Sequence, residues 1–164
     1  MNKETMKCPR PEKPELNTAA SVISYVSKIE QESATLYEEW AERYETVRDL
    51  FRSIAKENRR HESNIKRAYY SVVSDALETG FSFKGLSADV HFPKSEEGLL
   101  LIKVLEEGLA LENNMLAFYT KASETSRSLL ADVSRAMMKA AKSRSTRIER
   151  LSNLLRSQSG NPDH

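Results

Sequence analysis

Residues 29–37 read IEQESATLY and residues 111–119 read LENNMLAFY. Laid over each other, Glu30 meets Glu112 and Tyr37 meets Tyr119, a displacement of 82 positions (112 − 30). A second pair lies further on. AKENRRHESNI (55–65) matches AKSRSTRIERL (141–151) at a displacement of 86 (141 − 55), so the second copy holds four more residues (86 − 82) near its turn. Ala55 meets Ala141, Lys56 meets Lys142 and Ile65 meets Leu151. The chain is thus read as one helical hairpin written twice.

The helical period supports this division. Val22, Val26, Ile29, Ser33, Leu36, Tyr37, Trp40 and Tyr44 recur three or four residues apart, with Asn17 or Thr18 as the cap. Leu50, Ile54, Ile65, Ala68, Tyr69 and Val72 mark a second helix. ETGFSFKGLSADVHFP (78–93) breaks the period with Gly80, Gly85 and Pro93. A third helix follows, with its start expected near Ser95 to Glu97, and a fourth carries Val133, Met137, Ala140, Ile148, Leu151 and Leu155. Short, long and short connections make two antiparallel hairpins joined by a crossover along the bundle's length. The expected architecture is all-α: an antiparallel four-helix bundle over 18–156, with flexible tails at 1–17 and 157–164.

Composition agrees with that class and narrows the function. The 164 residues carry 5 Gly and 5 Pro against 30% charged residues, which suits a mostly helical single domain. A formal net charge of +1 gives no overall attraction to nucleic acid or an anionic membrane. Arg127, Arg135, Lys139, Lys142, Arg150 and Arg156 are read as solvated helix faces rather than a nucleic-acid surface, because no aromatic residues alternate with them. No stretch approaches the ~20 apolar residues of a membrane span, and MNKETMKCPRPEKPELNT lacks the apolar core of a signal peptide. A cytoplasmic location is expected. Cys8, the single cysteine, excludes an internal disulfide or a Cys-x-x-Cys site and is read as an incidental thiol.

The repeat also carries a resemblance. From about residue 18 to 156 the chain resembles the rubrerythrin-like branch of the ferritin-like superfamily. That family's pattern places a Glu on the first and third helices, each followed seven residues on by Tyr. The second and fourth helices each bring Glu-x-x-His, and the six groups hold two metal ions. The resemblance implies a metal-ligand role for Glu30, Glu112 and His61. Asn58 stands where the pattern has the Glu before His61, and Arg144 and Arg147 stand where it has a complete Glu-x-x-His. Rubrerythrins proper also carry a rubredoxin-like module with paired cysteines, and no paired cysteines occur here.

The two arginines decide how the site is read. Arg144 and Arg147 fall in the stripe between Ala140 and Leu151, so a regular helix aims them at the core. Arginine keeps its proton, so a buried one needs acceptors. Glu30 and Glu112 supply them, and two carboxylates facing two guanidinium groups balance without metal. The expectation is a degenerate di-metal site: a buried network of Arg144, Arg147, Asn58, Glu30, Glu112, Tyr37 and Tyr119, the tyrosine hydroxyls bonding the glutamates. Glu57, turned about 100° from position 58 on a regular helix, is given little weight as a substitute ligand.

The function expected is therefore a binding or structural role with no catalytic residue and no cofactor. The rival is a metal-dependent oxidoreductase, or iron-binding protein, using Glu30, His61 and Glu112 with iron or manganese. A homodimer is expected, with Phe81, Phe83 and Phe92 in the long loop as candidate contacts. A small anion between the arginines, or an unknown protein partner, is the remaining possibility.

Overall fold

In the computed structural model, which describes residues 15–73, 85–126 and 130–160, Thr18 opens the first helix with a reciprocal cap. The Ser21 amide donates to Thr18 Oγ1 at 3.0 Å, and the Thr18 amide donates to Ser21 Oγ at 3.1 Å. Helix α1 (Ala19–Arg43) ends at Tyr44, and a single 3-10 turn, Glu45–Val47, leads directly into α2 (Arg48–Val73). The second hairpin is α3 (Leu101–Ser126) and α4 (Ala131–Ser159). The all-α four-helix bundle read from the repeat is the observed fold.

Side-chain pairs give the directions of the helices. Ser33 meets Asn58 while Ser27 meets Glu62, so α1 and α2 run antiparallel. Tyr37 meets Glu112 while Glu30 meets Tyr119, so α1 and α3 also run antiparallel. α1 packs chiefly on α2 and α3 on α4, with α2 against α4 joining the hairpins.

The core is the inner stripe of each helix: Val22, Val26, Ile29 and Trp40 from α1, Phe51, Ile54 and Ile65 from α2, and their counterparts in the second hairpin. At the end near the α1–α2 turn, Trp40 packs against Tyr37 and Phe51 with ring centroids 5.4 and 5.8 Å away. The sequence stripe named Leu50 in α2. The structure buries Phe51 fully and leaves Leu50 at the margin, a shift of one position that brings the larger ring inward.

Three boundaries differ from the sequence reading. α3 starts at Leu101, not near Ser95, because Gly98 adopts φ +79 and ends any helical continuation. The segment before it is tied to the end of α1 instead: Arg43 Nη1 donates to Ser95 Oγ at 2.8 Å and Tyr44 Oη donates to the Leu99 carbonyl at 2.6 Å. α4 runs on to Ser159, beyond residue 156. The N-terminal segment is pinned before the helix begins: Leu16 is buried, and its amide donates to the Leu86 carbonyl at 3.0 Å. Cys8, Phe81 and Phe83 lie outside the described residues, whereas Phe92 packs against the core, which withdraws much of its ring from any contact with a partner.

No atom lies within 4 Å of a Cβ built on Gly98, so substitution there tests backbone conformation alone. Gly98→Ala should lower unfolding free energy by about 1 kcal/mol in urea denaturation without changing helical content. An unchanged midpoint would show that the positive φ is not required for the entry to α3.

Candidate functional site

Midway along the bundle the apolar stripes give way to charge. Glu30 on α1, Glu112 on α3 and Arg144 on α4 have fully buried side chains, and the side chain of Arg147 is 2% exposed. Asn58 on α2 is also buried. Each side chain points inward because it takes a core position in its helix. Arg144 and Arg147 lie on the same face as Met137, Ala140 and Leu151, whereas Ile148, assigned to that stripe from the sequence, is only partly buried. The inward line on α4 therefore passes through the arginines and leaves the isoleucine beside it.

Two reciprocal bonds form the frame. Tyr119 Oη donates to Glu30 Oε1 at 2.5 Å, and Tyr37 Oη donates to Glu112 Oε1 at 2.7 Å. Each tyrosine of one hairpin thus bonds the glutamate of the other, so the internal repeat becomes an approximate two-fold relation in space.

The arginines fill the centre of this frame. Arg144 Nη2 donates to Glu30 Oε1 at 2.6 Å and to Asn58 Oδ1 at 3.1 Å. Its Nε lies 3.6 Å from Glu112 Oε2, and its guanidinium carbon sits 5.0 Å from the centre of the Tyr119 ring. Arg147 Nη1 donates to Asn58 Oδ1 at 2.5 Å and lies 3.5 Å from Glu112 Oε1. Asn58 Nδ2 in turn donates to Ser33 Oγ at 2.8 Å, which fixes the amide with its oxygen between the two guanidinium groups.

The other side of Arg147 leaves the interior. Its Nε and Nη2 both donate to Glu57 Oε2, at 3.2 and 3.0 Å, and Ser143 Oγ joins the same oxygen at 3.2 Å. Glu57 is 35% exposed, so the network reaches the surface there. On helical angle alone, about 100° from position 58, Glu57 suits no ligand at the centre. A long guanidinium fork does not require that angle, since it spans from the centre to the helix edge. The charge count is therefore three carboxylates to two guanidinium groups, with the extra carboxylate in contact with water.

Ser33, Glu57 and Ser143 are the participants that sequence reasoning did not assign. The signal for Ser33 was a hydroxyl in an otherwise apolar stripe, which asks for a buried partner. For Glu57 and Ser143 there was a subtler one: they occupy equivalent places in the repeat, 86 residues apart, and meet across the approximate two-fold axis as Asn58 and Arg144 do.

Burial and charge set the protonation of these groups. Burial pushes the Glu30 carboxyl above the ordinary carboxylate value, against the pull of Arg144 and the Tyr119 bond. Burial and then the neighbouring carboxylate hold Tyr37 and Tyr119 well above the usual phenol value. Burial alone favours neutral Arg144, but the charges of Glu30 and Glu112 outweigh it and keep the guanidinium protonated. Glu57 has the opposite balance to Glu30: burial raises it, yet the charge and hydrogen bonds of Arg147 together bring its carboxyl below the usual range.

His61 lies three residues on from Asn58. It is partly buried on α2, and burial followed by the charges of Arg144 and Arg147 lowers its pKa to about 4. Among the described residues, no three His, Cys, Asp or Glu side chains come together in a way that could hold a metal ion, Glu30, His61 and Glu112 included. Arg144 reaches from α4 to both carboxylates, 2.6 Å from Glu30 Oε1 and 3.6 Å from Glu112 Oε2.

Two measurements test this arrangement. Arg144→Met leaves two buried carboxylates facing an apolar side chain and should cost about 3–5 kcal/mol in chemical denaturation. Adding Glu30→Gln should recover part of that loss, because the interior then holds one fewer unpaired acid. A cost below about 1 kcal/mol would contradict the pairing, being the range of exposed ion pairs. His61 gives a pH signature. Its folded pKa lies below the unfolded value, so the unfolded chain takes up the proton first, and its contribution to stability is lost as pH falls from about 6.5 to about 4. Glu30, raised by burial, acts in the opposite sense, so wild type should be compared with His61→Gln over that window. The variant should lack an acid destabilisation of about 1–2 kcal/mol after allowance for solvent screening. Parallel stability curves for the two proteins would count against this origin.

No curated protein and no solved structure matches this chain. The family model Rubrerythrin matches residues 22–142, which takes in most of α1, all of α2 and α3 and the start of α4, and stops two residues short of Arg144 (144 − 142). With most of its length covered, including the paired Glu and Tyr positions of α1 and α3, the chain belongs to the rubrerythrin family.

Proposed function

We propose that this member of the rubrerythrin family works without a di-metal centre, in a non-catalytic binding or structural role, with a salt-bridged polar interior where its relatives hold two cations. The observation that carries this reading is Arg144, fully buried and bonded to Glu30 at 2.6 Å with Glu112 at 3.6 Å. Two carboxylates that would neutralise metal charge already face a guanidinium that keeps its proton.

The donor set argues in the same direction. Of the six positions that the family's pattern uses, Glu30, Glu112 and His61 retain a metal-ligating side chain, and His61 is not grouped with the other two. Asn58 turns its oxygen to the arginines. A divalent cation placed 4 Å from a guanidinium meets a repulsion of about 8 kcal/mol at an effective dielectric of 20. Four helices are instead joined by charge: Arg144 ties α4 to α1 and α3, and Asn58 brings in α2.

Metal analysis decides between this reading and the oxidoreductase one. Protein purified from cells supplied with iron and manganese should carry neither in stoichiometric amount. The triple variant Asn58→Glu/Arg144→Glu/Arg147→His should take up metal under the same conditions, and Arg144→Glu/Arg147→His without Asn58→Glu should not. Stoichiometric iron or manganese in the wild-type protein would overturn the proposal and favour a metal-dependent oxidoreductase.

A further inference from the structure

Four polar atoms of the buried network have no hydrogen-bond partner in the protein: Glu30 Oε2, Glu112 Oε2, Arg144 Nε and Arg144 Nη1. They belong to three side chains in one cluster, and their distribution follows a rule. On Glu30, Oε1 accepts from both Tyr119 and Arg144; on Glu112, Oε1 accepts from Tyr37 and faces Arg147. Each carboxylate thus uses one oxygen and leaves the other. The approximate two-fold relation makes these two leftover oxygens equivalent, and Arg144 supplies a leftover donor, Nε, near the Glu112 oxygen.

One gap is defined by distance. Arg144 Nε and Glu112 Oε2 are 3.6 Å apart, within ion-pair range but too far for a direct hydrogen bond. A small molecule about 2.8 Å from both would sit beside the line joining them, its two bonds about 80° apart. Buried polar groups left this way in native proteins are ordinarily joined by ordered water.

We propose that ordered water completes this interior, with one molecule bridging Arg144 Nε and Glu112 Oε2 and hydration extending to Glu30 Oε2. The chemistry selects the ligand. The two carboxylate oxygens need donors, while the guanidinium N–H groups need acceptors. A halide only accepts, so it leaves both oxygens bare and adds negative charge beside them. A cation suits the oxygens but confronts Arg144. Water does both and leaves the charge balance unchanged. The Arg147–Glu57 pair, which leads from the buried centre to a carboxylate 35% exposed, gives such water a polar edge through which to exchange. The inference rests on the metal-free reading, because a cation at this place would displace both the water and the ion pair.

Diffraction from wild-type crystals grown with bromide, iron and manganese present tests it, with data collected at the absorption edges of all three elements. The expected result is a peak without anomalous signal within about 2.7–3.2 Å of both Arg144 Nε and Glu112 Oε2. A bromine signal there would replace water by an anion, and a direct Nε–Oε2 bond with no peak would remove the ligand altogether. Either outcome overturns the water bridge and leaves the metal-free reading standing. An iron or manganese signal would overturn both.

Discussion

A guanidinium with no exposed surface can persist only where acceptors meet it, and the bundle is organised around that requirement. Arg144 comes from α4, its carboxylates from α1 and α3, and its amide partner from α2. None of the helices can slide or rotate by a residue without leaving a buried charge unpaired, which costs several kcal/mol. Apolar stripes alone tolerate small adjustments, since one methyl packs much like another. The polar layer therefore sets the register of the two hairpins, and the apolar layers above and below it supply most of the driving force.

The layer is symmetric in one half and asymmetric in the other. Tyr37 to Glu112 and Tyr119 to Glu30 are the same bond made twice, by α1 and α3. α2 and α4 break the relation, since the pair Asn58 and Arg144 holds a neutral amide against a cation, and the pair His61 and Arg147 holds a neutral imidazole against another. Burial and the nearby guanidinium groups keep His61 uncharged near neutral pH. All the positive charge of the layer comes from α4 and its buried negative charge from α1 and α3, with Glu57 on α2 at the rim. The attraction thus runs across the hairpin boundary as well as within the second hairpin.

Much of this was legible in the sequence, because it rests on periodicity and on the repeat. The helical period gave four helices, and the displacements of 82 and 86 placed Glu30 with Glu112 and Asn58 with Arg144. What stayed hidden depends on reach and on small rotations. Glu57 lay at the wrong angle for a central ligand, yet a guanidinium on a long stem bridges that angle. Phe51 and Ile148 each moved by about one helical step relative to the stripe, a rotation that periodicity resolves poorly and close packing decides. The start of α3 turned on a single backbone angle, the positive φ of Gly98, which a nearby serine cap signal obscured. Leu16 was concealed by its setting, an apolar residue among prolines and charges whose partner, Leu86, comes from the distant crossover.

Asn58, Arg144 and Arg147 form a coupled set, and charge shows why. A Glu in place of Asn58 next to the present arginines would give a third buried carboxylate for two guanidinium groups, with Glu57 already attached to one of them. A Glu in place of Arg144 alone would remove the cation between Glu30 and Glu112 and leave three acids around Arg147. A His in place of Arg147 alone would free Glu57 and take one donor from Asn58. Each single change leaves buried charge that the remaining groups cannot balance, whereas at present Arg144 and Arg147 match Glu30 and Glu112, and the third carboxylate, Glu57, is 35% exposed. A variant carrying one such change alone is disfavoured by the desolvation cost of the charge left unpaired. The present side chains of this layer thus form one self-consistent charge arrangement, and none of the three changes alone without cost.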